Sequence, residues 1–229
     1  MKILIVGVQH GNEVFGADVI EYCKDKYSTV DGVLANPRAY KKGIRFCETD
    51  MNRSYNLDKA SSYEEKRAIE ILKMSADYDL VIDIHTTTAD MEFVSIIADY
   101  NYMVARALSF VSTEPVVKME FPTVKHSLIG SVQNSLSLEF NEDFAKTKPA
   151  MKIIDDIIEG LQTDKLGDFT NKIIYHTLDT IPEDADIEGE INLVYSQKLK
   201  CFPVLIGEKN YVGYSGFGAK TVTKVSSKF

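Results

Sequence analysis

Two side chains of the metal-binding type lie three residues apart near the start of the chain. His10 and Glu13 follow the apolar run KILIVGV, and His85 ends a second apolar run, DLVIDIH. Two histidines and one glutamate with an open fourth position form a known set of catalytic zinc ligands. The spacing alone is weak evidence, because a His-x-x-Glu pair also arises by chance and His10 could simply cap the following helix. The residues by themselves leave a metal site and a polar turn as open alternatives.

Two acids accompany this set. Asp83 precedes His85 by two positions, which in a strand places both side chains on one face, so the carboxylate could orient the imidazole or lie beside the metal. A solvated or salt-bridged acid is the alternative for Asp83. Glu139 is the only acid of the run SLSLEF and could serve as a general base if that run joins the same sheet. Burial would raise the pKa of Glu139, and a nearby zinc would lower it. The alternative for Glu139 is an acid at the end of a strand whose carboxylate accepts hydrogen bonds from backbone amides.

Residues 36–55, NPRAYKKGIRFCETDMNRSY, concentrate positive charge in an otherwise acidic protein. The cations of this stretch are Arg38, Lys41, Lys42, Arg45 and Arg53. A guanidinium can bind a carboxylate through two parallel hydrogen bonds and can stabilise a developing oxyanion. Any one arginine more commonly forms a surface salt bridge. We interpret the stretch as a whole as an anion-binding loop.

The elements that must position these residues alternate along the chain. The predicted strands are KILIVGV, DGVLANP, DLVIDIH, FVSIIA, PVVKME and SLSLEF, and runs with helical periodicity lie between several of them. Two overlapping capping boxes, Ser61 to Glu64 and Ser62 to Glu65, predict the start of one helix. The alternation predicts an α/β fold with a mostly parallel or mixed sheet and helices on both faces. Such sheets bind ligands beyond the carboxyl ends of their strands, where the candidate metal ligands would meet.

The pattern changes near residues 163–170. The runs KIIYHTLDTI, GEINLVY and CFPVLIG that follow are short and strand-like, and they predict a small C-terminal β appendage. The stretch GYSGFGAK contains three glycines but does not connect a strand to a helix, as a phosphate loop does. We therefore interpret it as a turn-rich loop.

Composition narrows the function classes. The 229 residues carry a formal net charge of -8, so nucleic acid and anionic membranes repel the protein on average, and we expect it to bind neither. Three widely spaced cysteines, Cys23, Cys47 and Cys201, favour a reducing compartment over a disulfide framework. The first apolar run is shorter than a signal-peptide core, and no run has the roughly 20 apolar residues of a membrane span. We expect a cytoplasmic protein, and the sequence leaves open whether it forms a homo-oligomer.

Four sequence blocks carry a resemblance to a known family. GVQHGNE, NPRAYKKGIRFCETDMNRSY, DLVIDIHTTT and SLSLEF resemble, in this order, the aspartoacylase and succinylglutamate desuccinylase family, relatives of the zinc carboxypeptidases. The second block is the most specific, and a weaker similarity extends to GEKNY near the C-terminus. The resemblance implies a zinc carboxypeptidase-like fold. It implies a catalytic zinc-hydrolase domain over residues 1–164 and a small β-rich domain over residues 165–229 that contributes to the substrate pocket.

The resemblance also implies roles at the site. His10, Glu13 and His85 match the ligands of one Zn²⁺ per chain. Glu139 matches the general acid/base, and Arg45 matches an arginine that polarises the scissile carbonyl. The implied reaction is hydrolysis of a small-molecule N-acyl amino acid to a carboxylic acid and a free amino acid.

Three further residues match substrate-binding positions of the family. Asn52 and Arg53 match a pair that holds a substrate carboxylate, and Tyr211 matches a tyrosine that the C-terminal region contributes to the pocket. The chain departs from the pattern about ten residues before the catalytic glutamate. Aspartoacylases carry another substrate arginine there, whereas this chain has Ile129 and Gly130. The departure puts a pocket for a second substrate carboxylate in doubt.

Two other functions fit the same residues. A carboxypeptidase-like enzyme that removes the C-terminal residue of a short peptide needs the same metal and arginine with a longer groove. The short C-terminal region, which covers less of the cleft, mildly favours it. A metal-binding module without turnover is the other alternative, although a pure binder has no need of Glu139 as a base. His126 and His176 lack partners at ligand spacing, and we interpret them as surface or hydrogen-bonded histidines.

Overall fold

Nine strands form one sheet in the computed structural model, which describes residues 1–112, 115–163, 167, 170 and 172–225. Their spatial order is β2-β1-β3-β6-β4-β5-β7-β9-β8. In chain order the strands are β1 (Ile3–Gly7), β2 (Val30–Leu34), β3 (Leu80–Thr87), β4 (Phe93–Ile97), β5 (Pro115–Met119), β6 (Ser135–Asn141), β7 (Ile173–Pro182), β8 (Phe202–Val204) and β9 (Tyr214–Lys224).

The strand order creates a crevice at β1 and β3. β1 pairs in parallel with β2 on one side and β3 on the other, and β6 lies parallel beside β3. The chain runs outward from β1 to β2 and then crosses back to β3, so the strand order reverses between β1 and β3. Open α/β sheets bind ligands at the carboxyl ends of strands at such a point. Because β4 is antiparallel to β6, the sheet is mixed, as the sequence predicted.

Helices cover both faces of the sheet. They are α1 (Phe15–Lys26), α2 (Pro37–Lys42), α3 (Tyr63–Ser75), α4 (Tyr102–Leu108), α5 (Leu128–Ser131) and α6 (Lys148–Leu161), with short 3₁₀ turns at Met51–Arg53, Pro122–His126 and Phe144–Lys146. Side chains alternate across a strand. Ile3 and Ile5 therefore pack in the core with α1, α4 and α6, and Leu4 and Val6 pack with α3 on the opposite face. Within the described ranges, every helix is too short or too polar to cross a bilayer.

Only one of the two predicted capping boxes forms at the start of α3. The Ser62 hydroxyl accepts a hydrogen bond from the backbone N–H of Glu65, whose carboxylate accepts one from the N–H of Ser62. Ser61 also donates to Glu65 rather than pairing with Glu64, so the prediction of a Ser61 to Glu64 box was wrong. Glu64 is fully buried and points away from the cap.

The C-terminal strands extend the same sheet. β5 pairs in parallel with β7, and β9 lies antiparallel between β7 and β8. Apart from Gly213, which lies in a bend, the stretch GYSGFGAK belongs to β9, so its interpretation as a loop was wrong beyond that residue. Its glycines allow close packing instead of a turn, because a Cβ on Gly216 would lie 2.9 Å from the carbonyl oxygen of Val204. GEINLVY, predicted as a strand, forms turns, and the expected boundary at residues 164 and 165 lies outside the described residues.

Candidate metal centre and substrate cleft

The loop after β1 brings His10 and Glu13 back over the sheet edge. Val8 opens this loop with φ of 61°, a left-handed conformation that is unusual for a β-branched residue and common at functional sites. Gly11 passes so close to α2 that an added Cβ would lie 2.1 Å from the backbone carbon of Ala39. The backbone N–H of Gly11 donates to the carbonyl of Arg45 at 3.0 Å. Glycine is required here by this close approach.

His10, Glu13 and His85 converge on one point. Their candidate ligand atoms all lie within 4.8 Å of one another, and each residue is only 4% exposed. Nδ1 of His10 lies 2.5 Å from Oε1 of Glu13, and Nδ1 of His85 lies 2.8 Å from Oε2 of the same carboxylate. A divalent ion held by three protein groups with one open position needs such a cluster. The predicted set is therefore brought together by the fold.

Each histidine has a second carboxylate behind it. Nε2 of His85 lies 3.0 Å from Oδ2 of Asp83, the residue that sequence alternation placed on the same face. Nε2 of His10 lies 3.0 Å from Oδ1 of Asp50, which the sequence did not single out. Metal-binding histidines commonly donate their distal N–H to a carboxylate, which fixes the tautomer and the orientation of the ring. The arrangement therefore fits a metal site in which Nδ1 of both rings faces the ion.

The charges of this cluster support one another. Burial lowers the pKa of His10, but the carboxylates of Glu13 and Asp50 outweigh it and raise that pKa above its ordinary value. Burial acts in the same way on His85, and Asp83 and Glu13 raise its pKa well above the ordinary value. Burial would raise the pKa of Glu13, yet the two histidines hold it far below its usual range. The two imidazoles and the carboxylate of Glu13 therefore stabilise one another in their charged forms.

Glu139 lies on β6 directly beside His85 of β3, with which it is in register. Leu136 and Leu138 pack into the core below the sheet, so alternation turns Glu139 towards the cleft. Burial raises the pKa of Glu139 to about 7, with His85 opposing this shift and the carboxylates of Glu13 and Glu208 adding to it. A carboxyl group with a pKa near neutrality can both accept and return a proton at physiological pH.

Only part of the basic stretch reaches the cleft. Arg45 and Arg53 line it, whereas the guanidinium of Arg38 lies 4.1 Å from the ring centre of Tyr63, outside the cleft lining. Lys41 and Lys42 are exposed at the end of α2. Two of the five cations therefore line the cleft, and anion binding by the stretch stays a prediction for Arg45 and Arg53 alone.

The two arginines of the cleft differ in their partners. Nη2 of Arg45 donates to Asp50 at 3.2 Å, and Nη1 lies 3.7 Å from Glu13. Arg53 donates to the backbone carbonyl of Asn52 and to the Tyr214 hydroxyl, and among the described residues no carboxylate lies within ion-pair distance of it. The side-chain oxygen of Asn52 accepts from the N–H of Leu128 at 3.3 Å. Arg53 therefore presents a cation whose charge is available to a ligand.

Glu64 fixes the loop that carries these groups, and the sequence did not reveal this. Its carboxylate accepts hydrogen bonds from the backbone N–H groups of three consecutive residues, Cys47, Glu48 and Thr49. It also accepts one from the side chain of Asn36 at 3.1 Å. A buried carboxylate held by several N–H donors is a strong anchor. Glu64 lies on the buried face of α3 with Ala68 and Ile71, and this helical spacing could have identified it as a buried acid. The capping pattern suggested a different role for it.

The C-terminal region closes one side of the cleft with Tyr211 and Glu208. Tyr211 is stacked on Tyr214 with ring centres 4.5 Å apart and meets Phe217 edge to face. Burial, together with nearby Glu139, raises the pKa of Tyr211 well above its ordinary value, so its hydroxyl stays protonated. Glu208 accepts hydrogen bonds from the Thr87 hydroxyl and from the backbone N–H of Thr88, both at 2.7 Å. Glu208 thus ties the loop of Tyr211 to the end of β3.

A family comparison is consistent with this geometry. The family model for the succinylglutamate desuccinylase/aspartoacylase catalytic domain matches residues 1–135, more than half of the chain. The chain belongs to this family. The matched segment includes the candidate metal ligands and both cleft arginines, and it ends before Glu139. The family recognised from four sequence blocks is confirmed.

Curated members of the succinylglutamate desuccinylase/aspartoacylase family are moderately similar. A probable aspartoacylase of Trichodesmium erythraeum is 29% identical over 224 residues, covering 83% of this chain and 76% of that protein. An N-acyl-aromatic-L-amino acid amidohydrolase (carboxylate-forming) of Xenopus laevis is 32% identical over 108 residues, covering 39% of this chain and 35% of that protein.

Solved structures of the family share the fold. A mutant of murine aminoacylase 3 has a TM-score of 0.71 at 16% identity, covering 99% of this chain and 96% of that chain. The succinylglutamate desuccinylase of Chromobacterium violaceum also has a TM-score of 0.71, at 17% identity, covering 97% of this chain and 84% of that chain. At these identities the likeness concerns the fold. The expected carboxypeptidase-like α/β fold is confirmed.

The remaining histidines lie outside the metal cluster. Nδ1 of His126 lies 3.0 Å from the backbone carbonyl of Tyr55, and His176 lies between Glu120 and the Thr223 hydroxyl. Each has a hydrogen-bond partner, as the sequence interpretation expected for a histidine without a metal role.

Proposed function

We propose that this chain is a zinc-dependent hydrolase that cleaves the amide bond of an N-acyl amino acid and releases a carboxylic acid and a free amino acid. The observation that carries the proposal is the convergence of His10, Glu13 and His85 beside Glu139 in one cleft. Membership of the succinylglutamate desuccinylase/aspartoacylase family supports the same reaction class. The names of the relatives from Trichodesmium and Xenopus describe this chemistry for those proteins.

The donor set fits one zinc ion per chain. His10, Glu13 and His85 would hold it, because nitrogen and carboxylate oxygen donors in a three-residue set with an open position are typical of catalytic zinc. Asp50 and Asp83 would fix the two rings from behind. Such an ion, when bound, supplies Lewis acidity, which activates water for attack and polarises the amide carbonyl.

The protein's own groups then divide the remaining work. Glu139 accepts the proton of the attacking water and later returns it to the nitrogen of the leaving amine. Arg45, held in place by Asp50, presents its guanidinium to the oxygen on which negative charge develops.

Substrate positioning falls to the other cleft residues. Arg53 and Asn52 bind the carboxylate of the amino acid. This contact holds the scissile carbonyl in a fixed position relative to Glu139. Tyr211, with its hydroxyl protonated, covers the bound substrate from the C-terminal side.

The test is amine release from a substrate panel by protein reconstituted with zinc. The panel pairs N-acetyl amino acids with their methyl esters at the carboxyl group and with short peptides. We expect hydrolysis of the free acids, a large loss of kcat/KM for the esters because Arg53 loses its anionic partner, and release that stops in the Glu139→Gln variant. Faster removal of C-terminal residues from peptides would favour the carboxypeptidase-like alternative. A protein that binds zinc without turnover of any member would be a binding module.

A further inference from the structure

One wall of the cleft is apolar. The side chains that form it are Ile96, Met119, Phe121, Val124, Ile129 and Phe217. The cleft as a whole has an empty volume of about 740 Å³, including space open to solvent, which lies in the usual range for sites of small molecules. A wall of this kind can bury a large apolar group of a ligand.

This wall is preformed by packing. Its residues belong to a second core cluster, which is separate from the core under the helices and contains residues of β4, β5 and β9. Phe121 stacks on Phe217 with ring centres 5.5 Å apart and planes 8° from parallel. Because these rings pack against one another, the shape of the wall is fixed before a ligand binds.

The charges of the cleft match a single substrate carboxylate. Among the described residues the basic groups of the lining are two arginines, Arg45 and Arg53, and the two histidines of the metal cluster. Arg45 and both histidines already contact carboxylates. Four acids line the same cleft: Glu13, Asp83, Glu139 and Glu208. After Arg53 binds one carboxylate, a second would find no free cation and would face this negative charge.

The local backbone also keeps a cation out of the wall. Ile129 is buried and lines the cleft, and a Cβ on the next residue, Gly130, would lie 2.0 Å from the carbonyl oxygen of Val124. A longer side chain at position 130 therefore requires the backbone to move. Lys125 is exposed and does not line the cleft.

We propose that the substrates of this site carry one carboxylate and one large apolar group, aromatic or branched aliphatic, and that acidic substrates with two carboxylates are poor. The inference rests on the proposed amide hydrolysis for its kinetic arm. The apolar group sits on the acyl part or on the amino-acid side chain, and both have the same chemistry against the wall.

The kinetic experiment compares four substrates with the zinc-reconstituted protein. We expect kcat/KM for N-acetyl-L-phenylalanine or N-benzoylglycine to exceed that for N-acetyl-L-aspartate and N-succinyl-L-glutamate by ~10- to 100-fold, the discrimination that an apolar pocket typically supplies. Preference for the first places the apolar group on the amino acid, and preference for the second places it on the acyl part. Equal rates, or faster hydrolysis of the acidic pair, would overturn the inference.

A variant tests whether the wall sets this preference. Val124 is half-buried and lines the cleft, so Val124→Lys introduces a cation there, whereas Asp25→Lys places the same side chain at an exposed position of α1 outside the cleft. We expect Val124→Lys to reduce the aromatic-to-acidic ratio by ~10-fold or more and Asp25→Lys to leave it nearly unchanged. An unaltered ratio in a folded Val124→Lys protein would count against the wall as the determinant.

A binding experiment tests the same inference without any turnover. Calorimetry with 3-phenylpropanoate and with glutarate compares one carboxylate plus an apolar ring against two carboxylates. Tighter binding of 3-phenylpropanoate supports the inference even if no amide is hydrolysed, in which case only the proposed reaction fails. Equal or tighter binding of glutarate overturns it whatever the kinetics show.

Discussion

The two sides of the cleft are built in different ways. The polar side, at β1, β3 and β6, consists of buried ionisable groups that contact one another at hydrogen-bond distance. His10, Glu13 and His85 are each 4% exposed. The apolar side, at β4, β5 and β9, is formed by aliphatic and aromatic side chains that pack on one another, as Phe121 does on Phe217. Charge complementarity with fixed geometry suits chemistry, whereas a packed apolar surface suits selection of substrates. We therefore expect the reaction to depend on the first side and substrate preference to depend on the second.

The largest expected effect comes from removing a metal ligand on the polar side. His85→Ala should abolish stoichiometric zinc binding and reduce kcat/KM by ~10³-fold or more, since the Lewis acid is lost with its site. Metal analysis of the purified protein and amine release measure the two effects. His176→Ala, a histidine paired with Glu120 at the surface, serves as the control and should keep both properties. Zinc retained at full stoichiometry in His85→Ala would contradict the ligand assignment.

Replacing the proposed base separates chemistry from metal binding. Glu139→Gln should lower kcat by ~10²- to 10⁴-fold while the zinc content stays at one per chain, because the amide cannot accept a proton. Glu142→Gln changes an exposed glutamate three residues away and should be neutral. A Glu139→Gln protein with wild-type kcat would show that Glu139 is not the base.

The raised pKa of Glu139 predicts how the stability of the metal-free protein depends on pH. The pKa is about 7 in the folded state and 4.5 ordinarily, so the folded state holds this proton more strongly. The resulting stabilisation is complete below pH 4.5 and is lost as pH rises through 7; the shift corresponds to about 3 kcal/mol. Urea unfolding at pH 5 and pH 8 should show this loss in the wild type, superimposed on the other titrating groups. Glu139→Gln should lack this component, and parallel changes in both proteins would be evidence against it.

Glu64 tests how far the polar side depends on groups outside the cleft. Glu64→Gln removes the charge that binds the N–H groups of Cys47, Glu48 and Thr49, so the loop carrying Arg45 should loosen. We expect a loss of about 1 kcal/mol in the free energy of unfolding and a several-fold decrease in kcat/KM with zinc content unchanged. Glu92→Gln, at an exposed position, is the matched control. Unchanged stability and kinetics would show that the loop does not need this anchor.

The sequence predicted the polar side well because local rules govern it. Alternation along DLVIDIH and SLSLEF places Asp83, His85 and Glu139 on one face, and parallel pairing brings the strand ends to one edge. Three features were not visible: the role of Glu64, the contact of Asp50 with His10, and the tie between Glu208 and β3. Each depends on contacts between segments distant in sequence or on a carboxylate whose local pattern suggested another role.

The apolar side was harder to predict for the same reason. GYSGFGAK looked like a loop because glycine is common in turns, whereas Gly216 is needed where β9 approaches Val204 closely. The wall also combines residues of β4, β5 and β9, whose proximity follows from the strand order and not from any local pattern. The sequence indicated only that a second arginine is absent at Ile129 and Gly130.

The proposed function requires that His10, Glu13 and His85 hold the metal on which amide hydrolysis depends. This requirement is tested by titrating Zn²⁺ into metal-free protein and following amine release from an N-acyl amino acid at each addition. We predict activity that rises linearly and breaks at one equivalent per chain in the wild type, and that stays at baseline for Glu13→Gln. Full activity of the metal-free protein, or an equal response from Glu13→Gln, would contradict the claim.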